Sequence, residues 1–169
     1  MEKYVNMADV ITFDPDELQD QFPNTELIEL LFFAYRDFVS EPDEVLAAYG
    51  FGRAHHRVLH FVGRNPGICV ADLLEILKIT KQSLARVLRQ LVETGFVRQK
   101  TGANDRRQRL LFLTQDGQDL ARSLTAVQSK RIAAALAGLA PEQVEAVRGF
   151  LINMINEDER PLAVTLTRR

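Results

Sequence analysis

Two short segments of this sequence combine arginine, lysine, glutamine and hydroxyl side chains, the residue types that bind phosphate and read base edges. In the first, apolar residues recur at helical spacing from Leu84 to Leu91. Removing them leaves a polar face that consists of Lys81, Gln82, Ser83, Arg86, Arg89 and Gln90, and Thr80 before it is a good N-cap. Glutamine can pair with adenine and arginine with guanine, and a helix N-terminus favours a phosphate. The segment predicts DNA contact, although a solvated face on an amphipathic helix would show the same pattern.

The second segment is the run NDRRQR, which the flanking pattern places at the tip of a β-hairpin. Arg106 and Arg107 are expected to be exposed there, and Asp105 can offset their mutual repulsion. An exposed cationic tip beside a DNA-reading helix can reach the adjacent minor groove, whose negative potential attracts arginine. The hairpin tip predicts a second DNA contact, with an ordinary solvated turn as the alternative.

The net charge of −2 conceals a strong asymmetry along the chain. Residues 1–50 carry 2 Lys/Arg and 12 Asp/Glu, residues 51–113 carry 12 and 4, and residues 114–169 carry 7 and 7. The middle block, at +8, contains both segments. Because neutralising phosphates releases counterions and drives association, this block predicts a phosphate-facing surface, whereas charge alone is equally compatible with a solvated basic face.

Hydrophobic periodicity predicts the elements that position these segments. Helices are expected from Pro23, over Arg53–Gly63, over Val70–Leu77, from Thr80 to Gly95, from Thr114 to Gly138 and from Pro141 to about Asp158. The stretch EPDEVLAAYGFG, with Pro42 as a breaker, is expected to connect the first two helices. Between Gly95 and Thr114 the period becomes alternating, which predicts a two-stranded hairpin. The tail PLAVTLTRR is expected to be loose.

Two helices joined by the turn KIT and followed by a hairpin form the pattern of a winged helix-turn-helix. The first helix is apolar on more than one side, which indicates a partner subunit. The predicted fold is mainly α with a small β-wing and with N- and C-terminal dimerisation helices. The expected segments are an acidic arm (1–22), a dimerisation helix and connector (23–52), the DNA-binding region (53–113), C-terminal dimerisation helices (114–160) and a tail (161–169).

A resemblance to the MarR family of winged-helix regulators is carried by the run LLEILKITKQSLARVLRQLVETGFVRQKTGANDRRQRLLFLTQDG. The run contains that family's D-x-R wing signature at Asp105–Arg107 and its Leu-Thr pair at Leu113–Thr114. The resemblance extends over roughly residues 25–158, and the stretch GFGRAHHRVLHFVGRNPG resembles the PetP-type branch of the family. The acidic residues 1–22 exceed the family's compact pattern.

The resemblance implies an obligate homodimer whose first and last helices intertwine and whose two reading helices bind a pseudo-palindromic double-stranded DNA site. It places Arg107 at the position that enters the minor groove and Asp105 at the position that braces the wing. A small-molecule effector is a further expectation. Its pocket would lie between the dimer helices and the reading region, near Tyr35, Arg36 and His56.

The sequence offers little support for a metal site, a redox switch or a catalytic site. His56 and His60 have a spacing that could ligate a metal, but no Cys, Asp or Glu nearby completes a site, so no metal or cofactor is expected. The single cysteine, Cys69, is expected to be a small buried residue, with a redox switch as the lesser alternative. No catalytic motif is recognisable, and an enzyme is not expected.

The sequence therefore predicts a transcriptional regulator, a repressor that binds its operator as a homodimer. The alternative is a winged-helix module that has lost DNA binding and meets an acidic protein partner through its basic face. No apolar run approaches the ~20 residues of a membrane span, and the first residues lack the pattern of a signal peptide. A cytoplasmic protein that does not interact with membranes is expected.

Overall fold

A computed structural model describes residues 21–102, 105 and 107–167 of the chain. The elements follow the order α1 (Thr25–Ala47), α2 (Arg53–Arg64), β1 (Ile68–Cys69), α3 (Val70–Leu77), α4 (Lys81–Glu93), β2 (Val97–Thr101), β3 (Arg109–Leu113), α5 (Gln115–Leu136), α6 (Pro141–Asn153) and α7 (Arg160–Thr167). A boundary after Val39 divides the described chain into two compact units. This architecture confirms the mainly helical fold with a small β-wing.

The core of the second unit joins α2, α3, α4, the sheet and the start of α5. Apolar residues at helical spacing on each helix meet there, as the burial of Val58 on α2, Leu84 on α4 and Leu124 on α5 shows, each 0% exposed. Burial of these stripes provides the main favourable contribution to folding. The core therefore fixes α4 so that its opposite face is left to solvent.

The sheet has three strands in the order β1–β3–β2, all antiparallel. In the hairpin, Val97 pairs with Leu113 and Thr101 with Arg109, which confirms the predicted β2–β3 hairpin. The third strand was not predicted. It contains only Ile68 and Cys69, which pair with Leu111 and Leu110, and two residues are too few to show an alternating pattern.

The first helix is longer than the sequence predicts, and the expected break at Pro42 is wrong. Helix α1 continues through Pro42 to Ala47, with Pro42 fully buried. A proline inside a helix removes one backbone hydrogen bond, but packing can retain the helix around it. Ion pairs hold this end in place, because Glu41 contacts Arg131 of α5 and Asp43 contacts Arg53 of α2 at 2.8 Å.

The C-terminal prediction is wrong in two respects. The helix from Pro141 ends at Asn153 rather than near Asp158, and the tail that was expected to be loose forms α7. Arg160 donates from its guanidinium to the carbonyls of Asn153 and Ile155 at 3.0 and 2.9 Å, which satisfies backbone groups at the turn. An ion pair of 2.8 Å between Glu159 and Lys78 connects this turn to the end of α3.

Two helices present large apolar side chains to solvent in the single chain. On α1 these are Leu27, Ile28, Leu30, Leu31, Phe32, Phe33 and Tyr35, and on α6 they are Val147, Phe150 and Leu151, followed by Met154, all at least 40% exposed. Exposed apolar surface of this extent is typical of protein interaction sites. Within the described residues, no helix is both long and apolar enough to cross a membrane.

The packing of α5 against the start of the wing depends on a missing side chain at Gly117. A Cβ there would overlap the carbonyl oxygen of Phe96 and lie 3.1 Å from its carbonyl carbon. Because both neighbours are backbone, Gly117→Ala should lower the free energy of unfolding by about 2–3 kcal/mol, measured by urea denaturation. Gln118→Ala, at the exposed neighbouring position, is the control. Equal stability of both variants would contradict this account of the packing.

Candidate nucleic-acid interface

Helices α3 and α4 form the predicted helix-turn-helix, with a turn of three residues, 78–80. Lys78 adopts a left-handed conformation with φ 49° at the end of α3. Thr80 then caps α4, because its Oγ1 accepts the backbone N–H of Ser83 at 3.1 Å. The capped N-terminus leaves backbone N–H groups of the first turn available to an anion.

The outer face of α4 is polar and basic. The structure places Lys81, Gln82, Arg86 and Arg89 at exposed positions, opposite Leu84, Val87, Leu88 and Leu91, which are at most 5% exposed. Ser83 is partly buried and its hydroxyl accepts a hydrogen bond from Thr80 Oγ1 at 2.9 Å. There is no acidic residue in the first turn of this helix. Such a face can contact phosphates and base edges, and its assignment to DNA stays a prediction.

The hairpin tip is held by hydrogen bonds around Asp105. The Asp105 carboxylate accepts the Arg107 N–H at 2.8 Å, and its carbonyl accepts the Gln108 N–H at 3.0 Å. Gly102 closes the turn, where an added Cβ would lie 2.8 Å from the Asp105 carbonyl oxygen. Arg107 is exposed, whereas the predicted contact residue Arg106 lies outside the described residues. The geometry is compatible with the bracing role implied for Asp105.

Cations of the helix and of the hairpin line the same groove. This groove of about 780 Å³ lies between α4 and the hairpin, and its wall includes Lys81 and Arg89 from α4 and Arg107 and Arg109 from the hairpin. Apolar residues such as Leu88 form part of its lining. The structure thus brings together the two arginine-bearing segments that lie apart in the sequence.

Gln90 does not belong to the open face on which the sequence placed it. Its side chain is partly buried, its Oε1 contacts His55 Nε2 at 2.9 Å, and its Nε2 donates to the Gly50 carbonyl at 3.3 Å. Periodicity alone could not distinguish this position from Arg86, one turn earlier. The useful signal was His55 itself, three residues after the capping Gly52, where polar side chains commonly accept a backbone N–H.

The structure describes the three residues of the predicted effector pocket in different units. Tyr35 and Arg36 belong to the first unit, where Arg36 pairs with Asp37 at 2.8 Å. His56 belongs to the second unit, and partial burial together with the nearby His60 lowers the pKa of His56, which favours the neutral imidazole at pH 7. A cavity of about 1010 Å³ in the same unit is lined among others by His60, Arg64 and Phe112, but not by His56. The effector pocket stays a prediction.

Metal binding finds no support in the described part of the chain, where no group of three or more His, Cys, Asp or Glu could hold an ion. Cys69 is partly buried rather than fully buried. It caps α3, since its Sγ accepts the Asp72 N–H at 3.4 Å. This contact gives Cys69 a structural role at the start of the helix-turn-helix.

Loss of the Thr80 cap should destabilise α4. Thr80→Ala removes the acceptor for the Ser83 N–H and should lower the free energy of unfolding by about 1 kcal/mol. Thr80→Ser keeps the hydroxyl and is the matched control. Thermal denaturation of both variants, in the absence of DNA, measures the difference. Identical melting of the two would show that the cap does not stabilise α4.

Comparisons with known proteins agree with this geometry. Residues 49–108 match the MarR family. The chain is 44% identical over 129 residues to the HTH-type transcriptional regulator PetP of Rhodobacter capsulatus, covering 76% of this chain and 78% of the relative.

Solved structures show the same fold. A MarR transcriptional regulator from Methanosarcina mazei aligns with a TM-score of 0.65 and 26% identity over 83% of this chain and 99% of that chain. FabT of Streptococcus pneumoniae, solved in complex with DNA, aligns with a TM-score of 0.68 and 17% identity over 76% and 92%.

Proposed function

This chain belongs to the MarR family, and from that premise we propose that it is a sequence-specific DNA-binding transcriptional regulator that acts as a homodimer. Its relatives are transcriptional regulators, and one structural neighbour was solved in complex with DNA. The chain acts as a repressor on a pseudo-palindromic operator in the cytoplasm. Its function is binding rather than catalysis.

The observation that carries the proposal is the groove shared by α4 and the hairpin. A helix that enters the major groove must expose cations and hydrogen-bonding side chains on the side away from its core. Here Lys81, Gln82 and Arg86 occupy that side, with Arg107 at the adjacent hairpin tip. The remaining assigned contacts are Thr80, Ser83 and Arg89, together with Arg106, which lies outside the described residues. The positions of Thr80, Ser83 and Arg89, together with the +8 charge of residues 51–113, support a surface that neutralises phosphates.

The exposed apolar faces of α1 and α6 support the homodimer. A twofold dimer presents two copies of α4, which suits a pseudo-palindromic site whose half-sites lie about 34 Å apart, one turn of B-DNA. The terminal helices are the dimerisation elements, since their apolar side chains need a partner surface. Without that partner, the second α4 is missing and only half of the operator is read.

Selection of genomic fragments tests the proposal. The pure dimer is mixed with fragments of the source genome at moderate salt, and the retained DNA is sequenced and then titrated at several salt concentrations. We expect one enriched pseudo-palindromic motif and an affinity that falls as salt increases. A winged-helix module that meets only an acidic protein partner would retain no fragment, and that result would exclude the proposed function.

A further inference from the structure

A chain of three hydrogen bonds joins the segment before α2 to the C-terminal half of α4. The Gly52 N–H donates to His55 Nδ1 at 3.1 Å, and His55 Nε2 contacts Gln90 Oε1 at 2.9 Å. Gln90 Nε2 then donates to the carbonyl of Gly50 at 3.3 Å. Residues 48–52, the connector between α1 and α2, are thereby bonded to α4 through Gly50 and Gln90, which lie 40 positions apart in the sequence.

These three bonds are mutually consistent in one arrangement of protons. Because Nδ1 accepts the Gly52 N–H, it carries no proton, and Nε2 must carry the proton that it donates to Gln90. The Gln90 amide then points its oxygen at His55 and its NH₂ group at Gly50. The network is therefore directional, and it holds both groups of the Gln90 side chain inside the protein.

Aromatic rings fix the imidazole in this position. The ring of Phe51, 7% exposed, stacks on His55 with centroids 4.7 Å apart and an interplanar angle of 8°. Phe96, at the start of the wing, meets Phe51 edge-on at 5.2 Å, and Tyr49 meets Phe96 at 5.4 Å. The connector thus contacts the base of the wing as well as α4. A shift of the connector would be transmitted to both DNA-contacting elements.

We propose that His55 and Gln90 form a positioning bridge that sets the orientation of α4 on the protein and hence its discrimination between DNA sequences. The contacts of α4 with the core through Leu84, Leu88 and Leu91 are apolar, and they fix which face of the helix is buried. The bridge supplies a directional restraint one turn from Arg86. This inference rests on the proposed function, and it assigns Gln90 to positioning rather than to base contact.

Substitutions at Gln90 and at His55 distinguish the bridge from other roles of these two side chains. Gln90→Met keeps the length of the side chain and removes both of its hydrogen bonds. His55→Asn keeps an acceptor near the Nδ1 position for the Gly52 N–H and is too short to reach Gln90. Gln115→Met is the matched control, at an exposed glutamine on α5 whose amide donates to the Asp119 carboxylate at 3.2 Å.

Binding to the selected operator and to random DNA provides the first readout. Each bridge variant should lose about tenfold in operator affinity, spread over all positions of the half-site, and the double variant should lose no more than the stronger single one. Affinity for random DNA should stay unchanged, because the phosphate-contacting cations remain. A loss confined to one base pair would assign Gln90 to base contact, and additive losses or equal losses on random DNA would also overturn the bridge.

The second readout needs no DNA. Nitrogen-15 shifts of the His55 ring in the wild-type dimer should report the Nε2–H tautomer, with the preference reduced in Gln90→Met. An Nδ1–H tautomer in the wild type would overturn the inference. If the wild type bound no DNA but showed the Nε2–H tautomer, the proposed function would fail while the bond itself stood. If the wild type preferred its operator to random DNA and Gln90→Met showed the same preference, only the positioning role would fail.

Discussion

Replacing Leu151 with aspartate should separate the dimer into single chains and reduce operator affinity at least ~100-fold, since one reading helix then binds alone. Leu151 is 55% exposed in the single chain and belongs, with Phe150, to the apolar face of α6, which Met154 follows. Burying a carboxylate in such an interface costs several kcal/mol, about 3–5 by analogy with an unpaired buried charge. The symmetric dimer would contain that charge twice.

Sedimentation equilibrium measures the change in mass, and an operator titration measures the change in affinity. The control is Glu145→Ala, whose side chain lies on the opposite side of α6 and forms an exposed ion pair with Arg148 at 3.4 Å. It should remain dimeric and bind like the wild type. A Leu151→Asp protein that stayed dimeric would remove α6 from the interface, whatever its DNA affinity.

Elements with local signals could be predicted from the sequence. The helices of the reading region begin at capping residues, and Thr80 and Thr114 both accept a backbone N–H three residues later at 3.1 Å, as their types suggest. Their apolar stripes have a helical period because each packs on one core. Fold class and the position of the polar face on α4 follow from these two local rules.

Features that depend on tertiary contacts could not be predicted in this way. Pro42 is a breaker by local rules, yet packing and the ion pairs of Glu41 and Asp43 retain the helix around it. Helix α7 is too short to be stable alone, and the bonds of Arg160 with preceding carbonyls explain its start. Polar pairs such as His55 and Gln90 carry no periodic signal, because their partners lie far apart in the chain.

The candidate site also contains some features that local sequence signals predict and others that depend on tertiary contacts. Which cations α4 exposes was predictable from one helix, whereas the groove that they share with Arg107 required the fold. At Gln90 the sequence pattern and the tertiary contacts disagree. It has the residue type and spacing of a base-reading side chain, and only its contacts with His55 and Gly50 show that it is already engaged.

Arg86 and Arg107 should differ in what their removal does to DNA binding. Arg86, on the exposed face of α4, can pair with guanine, so Arg86→Ala should relax the preference at one base pair by about 1–3 kcal/mol. Arg107, exposed at the hairpin tip, is expected to enter the minor groove and contact its phosphates, so Arg107→Ala should weaken binding to all sequences.

Competition among single-base operator variants, repeated over a range of salt concentrations, separates the two effects. For Arg107→Ala the slope of log affinity against log salt should fall by about one per subunit, with the order of preferred sequences kept. Arg148→Ala, an exposed arginine on α6, should change neither quantity. If both Arg86→Ala and Arg107→Ala bound the operator like the wild type, the exposed face of α4 and the hairpin tip would not be the DNA-contacting surface. Because Arg86 lies on the exposed face of α4 and Arg107 on the hairpin that shares a groove with this helix, the two variants together test both predicted contacts.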